Sequence, residues 1–284
     1  MAVAGNACDV SAGSFGLVHQ PVPPQRGVRI GHFRAVHGGI LLPAHSERPV
    51  SAKHHLGKQL RPPSRVERAA GGKIRLFDIR DFKYRAEHDF DVRYRTGVYD
   101  PEQLRSLDLY VSHWDGMDEI AHTLLRFNFS DGTALVLSVE MRCPEGISRD
   151  YYTTFFKQHA LIYIWGTPED LCDLRSKYRG EALYRYRTAA TPDEVKMLFA
   201  ALIDRTAELA EKQEFYRVIS GNCTTELLPY LKAMRPALRW DHRVLINGSI
   251  DRMLFEQGFL VHGDGEIFEE LRARSLVSKS ATQP

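Results

Sequence analysis

Apolar positions begin to repeat with a regular period only from residue 73. "KIRLFDI" (73–79) alternates apolar and polar side chains as a half-buried strand does. "LDLYVSHW" (107–114), "AHTLLRFNF" (121–129), "TALVLSVEM" (133–141), "HALIYIWG" (159–166) and "EALYRYR" (181–187) read as further strands. Helical spacing covers 168–178, 192–212, the stretch after Cys223, and 249–258. Segment 192–212 is the best marked of these. Thr191 offers an N-cap, Pro192 suits the first turn, Glu194 completes a capping-box spacing, and Leu198, Leu202 and Leu209 share one stripe. Strands with segregated helices predict an α+β domain over residues 73–284.

Residues 1–72 show no such period. They are rich in Pro, Gly, His and Arg, and carry nine basic residues against three acidic ones. A segment that cannot bury apolar surface stays unfolded, so 1–72 is predicted as a disordered basic tail. A solvated tail is the simpler role for it, and an arm for nucleic acid or anionic lipid the alternative. The whole chain of 284 residues has a net charge of +2 and ordinary globular composition, so no nucleic-acid partner is expected. No apolar run reaches about 18 residues, which predicts no spanning helix. The first 25 residues lack a basic segment followed by an apolar one, so no export signal is predicted, which taken literally means a cytoplasmic chain. Cys8, Cys143, Cys172 and Cys223 form no CxxC pair, so neither a zinc ribbon nor a dense disulfide scaffold is expected. No HExxH, GxGxxG or P-loop spacing occurs, and no metal or cofactor is predicted.

Ser130-Asp131-Gly132 between two strand patterns signals a hairpin. A three-residue loop closed by a left-handed Gly132 makes paired positions sum to 262. That register gathers Phe127, Leu135, Leu125, Leu137, Thr123 and Val139 on one face. On the other it sets His122 opposite Glu140, Leu124 opposite Ser138, and Arg126 opposite Val136. A two-residue loop would mix the faces. Directly opposed side chains have Cβ atoms about 4.5–5.5 Å apart. Glu140 can therefore accept a hydrogen bond from one imidazole nitrogen of His122, leaving the other as a base. The alternative is a half-buried polar pair with no chemistry.

"SGNCTTELL" (220–228) raises the matching question for a thiol. Asn222 is a good N-cap residue, with Thr224 or Thr225 available one turn on. Cys223 would then lie at a helix start, where unpaired N–H groups, those around Cys223 and Thr224, favour a thiolate and can hold an oxyanion. Against this, free cysteines are more often small buried side chains, and Pro229 would kink a helix capped at Asn222. Cys172, in "DLCDL", reads as packing, and His113 is the rival base.

Several segments together resemble one family. "IRDFKYR" (79–85), "YDPEQLRSLDLYV" (99–111), "AHTLLRFNFSDGTALVLSVEMR" (121–142), "FKQHALIYIWGTPEDLCDLR" (156–175) and "EFYRVISGNCTTELL" (214–228) follow the order seen in the DUF4105 family. That family is also described as the N-terminal periplasmic domain of Lnb-type lipoprotein N-acyltransferases. The resemblance covers about residues 74–260. It implies a permuted papain-like fold, related to NlpC/P60 thiol enzymes, in which a strand histidine precedes a helix-borne cysteine. By the same resemblance Cys223 is implied as nucleophile, His122 as base and Glu140 as the acid orienting it. It further implies thiol acyl transfer with a lipid or lipoprotein substrate, peripheral membrane contact and a place in the cell envelope. A cysteine amidase or peptidase would use the same triad, and a non-catalytic envelope binding module the same fold.

Overall fold

The computed structural model describes residues 63–114, 117–142, 159–217, 222–245 and 247–277. The early strands are β1 (Arg65–Arg68), β2 (Ile74–Arg80), β3 (Lys83–Ala86), β4 (Asp89–Asp91) and β5 (Tyr94–Tyr99). The central ones are β6 (Leu104–Trp114), β7 (Met117–Phe129), β8 (Ala134–Arg142), β9 (Ala160–Gly166) and β10 (Ala182–Arg187), and β11 (Leu276–Val277) closes the series. The helices are α1 (Pro168–Leu171), α2 (Pro192–Glu211), α3 (Leu228–Met234), α4 (Ile250–Glu256) and α5 (Phe268–Ser275). The chain is therefore α+β, as its periodicity predicts.

Nine strands join one sheet in the order β1-β2-β9-β8-β7-β6-β10-β11, with β5 also paired to β2. Its pairings are antiparallel except between β2 and β9, which meet in parallel at Arg80 and Gly166. The sheet is thus mixed at one seam. The β7–β8 hairpin has the anticipated register, with Leu124 facing Ser138, Leu125 facing Leu137, and Phe127 facing Leu135. Phe129 N–H donates to the Thr133 carbonyl at 3.0 Å, and Gly132 has φ 83°, which a residue with a Cβ resists.

This register decides which face is core. Phe127, Leu135, Leu137 and Trp165 are fully buried on one side of the sheet, against Leu198, Phe199 and Leu202 of α2. The Phe199 ring lies 5.2 Å from that of Phe127 and 5.7 Å from that of Trp165. Trp165 Nε1 donates to Thr206 Oγ1 at 2.9 Å, so the buried indole N–H is satisfied. Burying each such side chain contributes about 1.5–3 kcal/mol. α2 begins as expected, with the Thr191–Glu194 capping box formed.

The other face carries a smaller cluster of Leu124, Val136, Ile162, Ile164 and Leu183 under Leu171 and Cys172. α1 is fastened there by a buried ion pair. Arg80 Nη2 lies 2.7 Å from Asp170 Oδ1, and Phe82 N–H donates to Asp170 Oδ2 at 2.7 Å. The expected helix over 168–178 is in fact α1 followed by a π turn, Leu174–Tyr178, in which Arg175 is buried.

Two expectations are corrected. β1 lies within the predicted tail, paired with β2 over Arg65–Phe77 to Arg68–Ile74. A mostly exposed strand, "RVER", needs backbone partners and not an apolar face, so its side chains gave no signal. Residues 1–62 of the predicted tail, Cys8 among them, lie outside the described residues, as does Cys143. Second, the helix after Cys223 begins at Leu228, with Pro229 in its first turn, where a missing N–H costs nothing. β3, β4, β5, β11 and α5 are further elements that weak periodicity left unmarked.

Candidate active site

β7 enters the site through three consecutive residues, Ala121, His122 and Thr123, all buried. Alternation sends His122 to the face of Ser138 and Glu140, and Thr123 to the α3 side. The backbone ladder with β8 ends at the Leu124–Ser138 pair. Beyond it, Cys223 comes up against β7 from the far side: Thr123 Oγ1 donates to the Cys223 carbonyl at 3.1 Å, and the sulfur lies 3.9 Å from the Ala121 carbonyl oxygen.

On the histidine side the proton positions follow from the bonds. His122 Nε2 is 2.7 Å from Ser138 Oγ and 3.2 Å from Glu140 Oε1. Ser138 Oγ donates to Glu140 Oε1 at 2.7 Å. A hydroxyl has one hydrogen, so Ser138 accepts from His122, and Nε2 carries the proton. Nδ1 is then the nitrogen left to act on the thiol. Glu140 is fixed in turn by Arg175, whose Nη2 donates to Oε1 at 3.1 Å while Nη1 donates to Glu181 Oε2 at 3.1 Å. Ser112 donates to the same Glu181 oxygen, so the ionic groups behind the histidine are hydrogen-bonded.

The electrostatics favour an imidazolium–thiolate pair between about pH 7 and about pH 8. Burial, then the Arg175 charge, press the His122 pKa down, but Glu140 and Cys223 outweigh them and raise it to about 8. Burial pushes the Cys223 thiol up, but His122, with hydrogen bonding from it and from Thr123, brings it down to about 7. Hydrogen bonding between the two side chains contributes to both shifts. Cys172, equally buried but without such a partner, is pushed up to about 12, burial being the main cause.

The structure brings Cys223, His122 and Glu140 together: His122 and Glu140 pair as the hairpin register predicts, and Cys223 joins them in the order the resemblance implies. Asn222 caps as expected: its Oδ1 accepts from Thr224 N–H at 2.9 Å and Thr225 N–H at 2.8 Å. What it caps is a turn, since α3 starts six residues later. This corrects two expectations. The low thiol pKa comes from His122 and Thr123 and not from a helix dipole, and the Thr224 N–H, expected as an oxyanion donor, is spent on Asn222. His113 turns to Tyr184, with ring centroids 5.7 Å apart, and to Arg272 of α5.

Sequence reasoning missed three contributors. Ser138 was visible in the register as the residue two before Glu140 on its face. Arg175 is one of several charged residues in the 168–178 pattern, and nothing local set it apart from Glu169, Asp173 or Lys177. Asn247 gave no signal at all. It sits in a single 3-10 turn, Asn247–Ser249, and reaches Cys223 only through the fold.

On the α3 side of Thr123 and Thr224 lies a small cavity of about 20 Å³, otherwise walled by apolar side chains including Leu125, Leu227, Leu228, Leu231 and Met253. Among the described residues no helix is long and apolar enough to cross a membrane. Compared with known protein families, residues 90–249 match the Lnb N-terminal periplasmic domain, a span containing Cys223, His122 and Glu140. No curated protein and no solved structure matches the chain.

Proposed function

The chain belongs to the Lnb N-terminal periplasmic domain family, which points to an envelope-related function, and from that premise we propose that it is a thiol acyltransferase. The observation that carries the reading is the buried Cys223–His122 pair with Glu140 behind the imidazole. The Cys223 thiolate attacks the carbonyl carbon of an acyl ester, a phospholipid being the proposed donor. His122 gives its proton to the leaving alkoxide, and a thioester remains on sulfur. An incoming amine, proposed as a lipoprotein amino terminus, loses its proton to His122 as it attacks the thioester, and the thiolate leaves. Glu140 stabilises the imidazolium and holds the ring. The order of His122 before Cys223 fits the permuted papain-like arrangement implied by the resemblance.

A hydrolase would use the same groups with water as acceptor. The apolar wall beside Thr123 and Thr224 favours a fatty acyl chain over a polar peptide. At about 20 Å³ that cavity holds no chain as it stands, so binding requires Leu227, Leu228 and Leu231 to move aside. The test is covalent labelling of the purified chain with a lipid thioester probe, wild type beside Cys223→Ala and His122→Ala. Labelling is expected at Cys223, lost in Cys223→Ala and reduced about 10²–10⁴-fold in His122→Ala. Label persisting in Cys223→Ala would end the assignment. Release of the acyl group to an amine rather than to water separates transferase from hydrolase.

A further inference from the structure

Asn247 is buried beside the sulfur and makes three bonds with one amide. Its Oδ1 accepts from Ala121 N–H at 3.0 Å. Its Nδ2 donates to Cys223 Sγ at 3.3 Å and to Thr224 Oγ1 at 2.8 Å. The amide therefore bridges the strand that carries His122 and the turn that carries Cys223. We propose that Asn247 is a further functional residue of this site, its amide N–H holding the Cys223 sulfur in place and stabilising its thiolate. The inference rests on the reading of Cys223 as a nucleophile.

The chemistry selects an asparagine. Ala121 N–H needs an acceptor, while the thiolate and the Thr224 hydroxyl oxygen are served by a donor. A carboxamide offers both from one planar group, where a carboxylate or an aliphatic side chain of that size offers one or neither. Its donor is also neutral, so it favours the thiolate without competing with the His122 charge. Among the described residues, charged groups on the sulfur's side come from three elements. His122 comes from β7, and behind it stand Glu140 from β8 and Arg175 from the π turn. Asn247 adds a neutral donor from outside the sheet.

Two of the N–H groups that a helix start would have presented are engaged elsewhere. Those of Thr224 and Thr225 go to Asn222 Oδ1. Asn247 thus supplies a hydrogen bond that the turn's own backbone does not, and it does so from 24 residues further along the chain.

The test titrates Cys223 in the full chain by iodoacetamide alkylation against pH, read on the Cys223 peptide by mass spectrometry. Asn247→Ala removes the donor, and its thiol pKa is expected to rise by about one unit. From about 7, that lowers the thiolate fraction at pH 7 about fivefold. Asn247→Asp keeps an oxygen for Ala121 N–H but turns a second oxygen toward the sulfur, so its shift is expected to be larger. The order wild type, Asn247→Ala, Asn247→Asp in rising thiol pKa supports the proposal. Coincident profiles in folded variants overturn it. Should Asn247→Ala fail to fold, the near-isosteric Asn247→Asp decides alone. The titration needs no acyl substrate. A failed acyl-labelling test would leave it standing, and unshifted profiles would leave Cys223 as nucleophile untouched.

Discussion

Cys172 and Cys223 are both free and buried, yet their thiols are shifted in opposite directions. Burial acts on both in the same sense, so the difference lies in the partners of Cys223, His122 first and then Thr123. The two titrations of the pair fix a pH dependence. The Cys223 value is lowered, so thiolate accumulates as pH rises through about 7. The His122 value is raised, so imidazolium persists until pH passes about 8. Alkylation of Cys223 needs only the thiolate and should rise through about pH 7 and then level off. Acyl transfer also needs a proton for the leaving alcohol, so its rate should fall again above about pH 8. The two measurements therefore diverge on the alkaline side, and an acylation rate still rising there would contradict the proton role of His122. Glu140→Gln removes a charge that raises the His122 value, so the falling limb should move to lower pH while protein stays folded.

At the scale of elements, the hairpin turn is the device that places His122 over Ser138 and Glu140. Gly132 sits in left-handed backbone conformation at φ 83°, and a Cβ built there meets nothing within 4 Å. The cost of Gly132→Ala is thus conformational, about 1–2 kcal/mol. Urea unfolding should show a lower midpoint with an unchanged slope. The turn is some seven strand residues from His122, roughly 23 Å at 3.3 Å each, so the Cys223 titration should not move. A shifted titration would mean that the turn alters the register and not only stability. The register was legible because apolar side chains at alternate positions have only one arrangement that buries them together. α2 was legible for a similar reason, its cap and stripe being local. The π turn was not, because the Arg175 buried in it pairs with Glu140 of β8, 35 positions back, as well as with the nearby Glu181.

At the scale of the molecule, β1 closes one end of the sheet. Ser64 is buried, with Trp165 N–H donating to its Oγ at 3.4 Å, and Val66 packs on the core. A chain beginning at residue 73 should therefore melt lower than one beginning at residue 63, by about 2–4 °C for each kcal/mol lost. Equal melting temperatures would restore the boundary at 73 that periodicity suggests. The sequence by itself determined the α+β class, the β7–β8 register, the His122–Glu140 pairing and the cap of α2, since each depends on neighbours within a turn or a hairpin. It also nominated Cys223, but for a helix start that does not exist. Only the tertiary structure decided that the thiol meets His122 where the β7–β8 ladder ends. It also decided that Arg175 steadies Glu140 and that Asn247 bridges Ala121, Cys223 and Thr224. These contacts join residues 23 to 126 positions apart. Hydrogen bonds of that span leave no periodic trace, because nothing near either partner in the chain has to change to accommodate them.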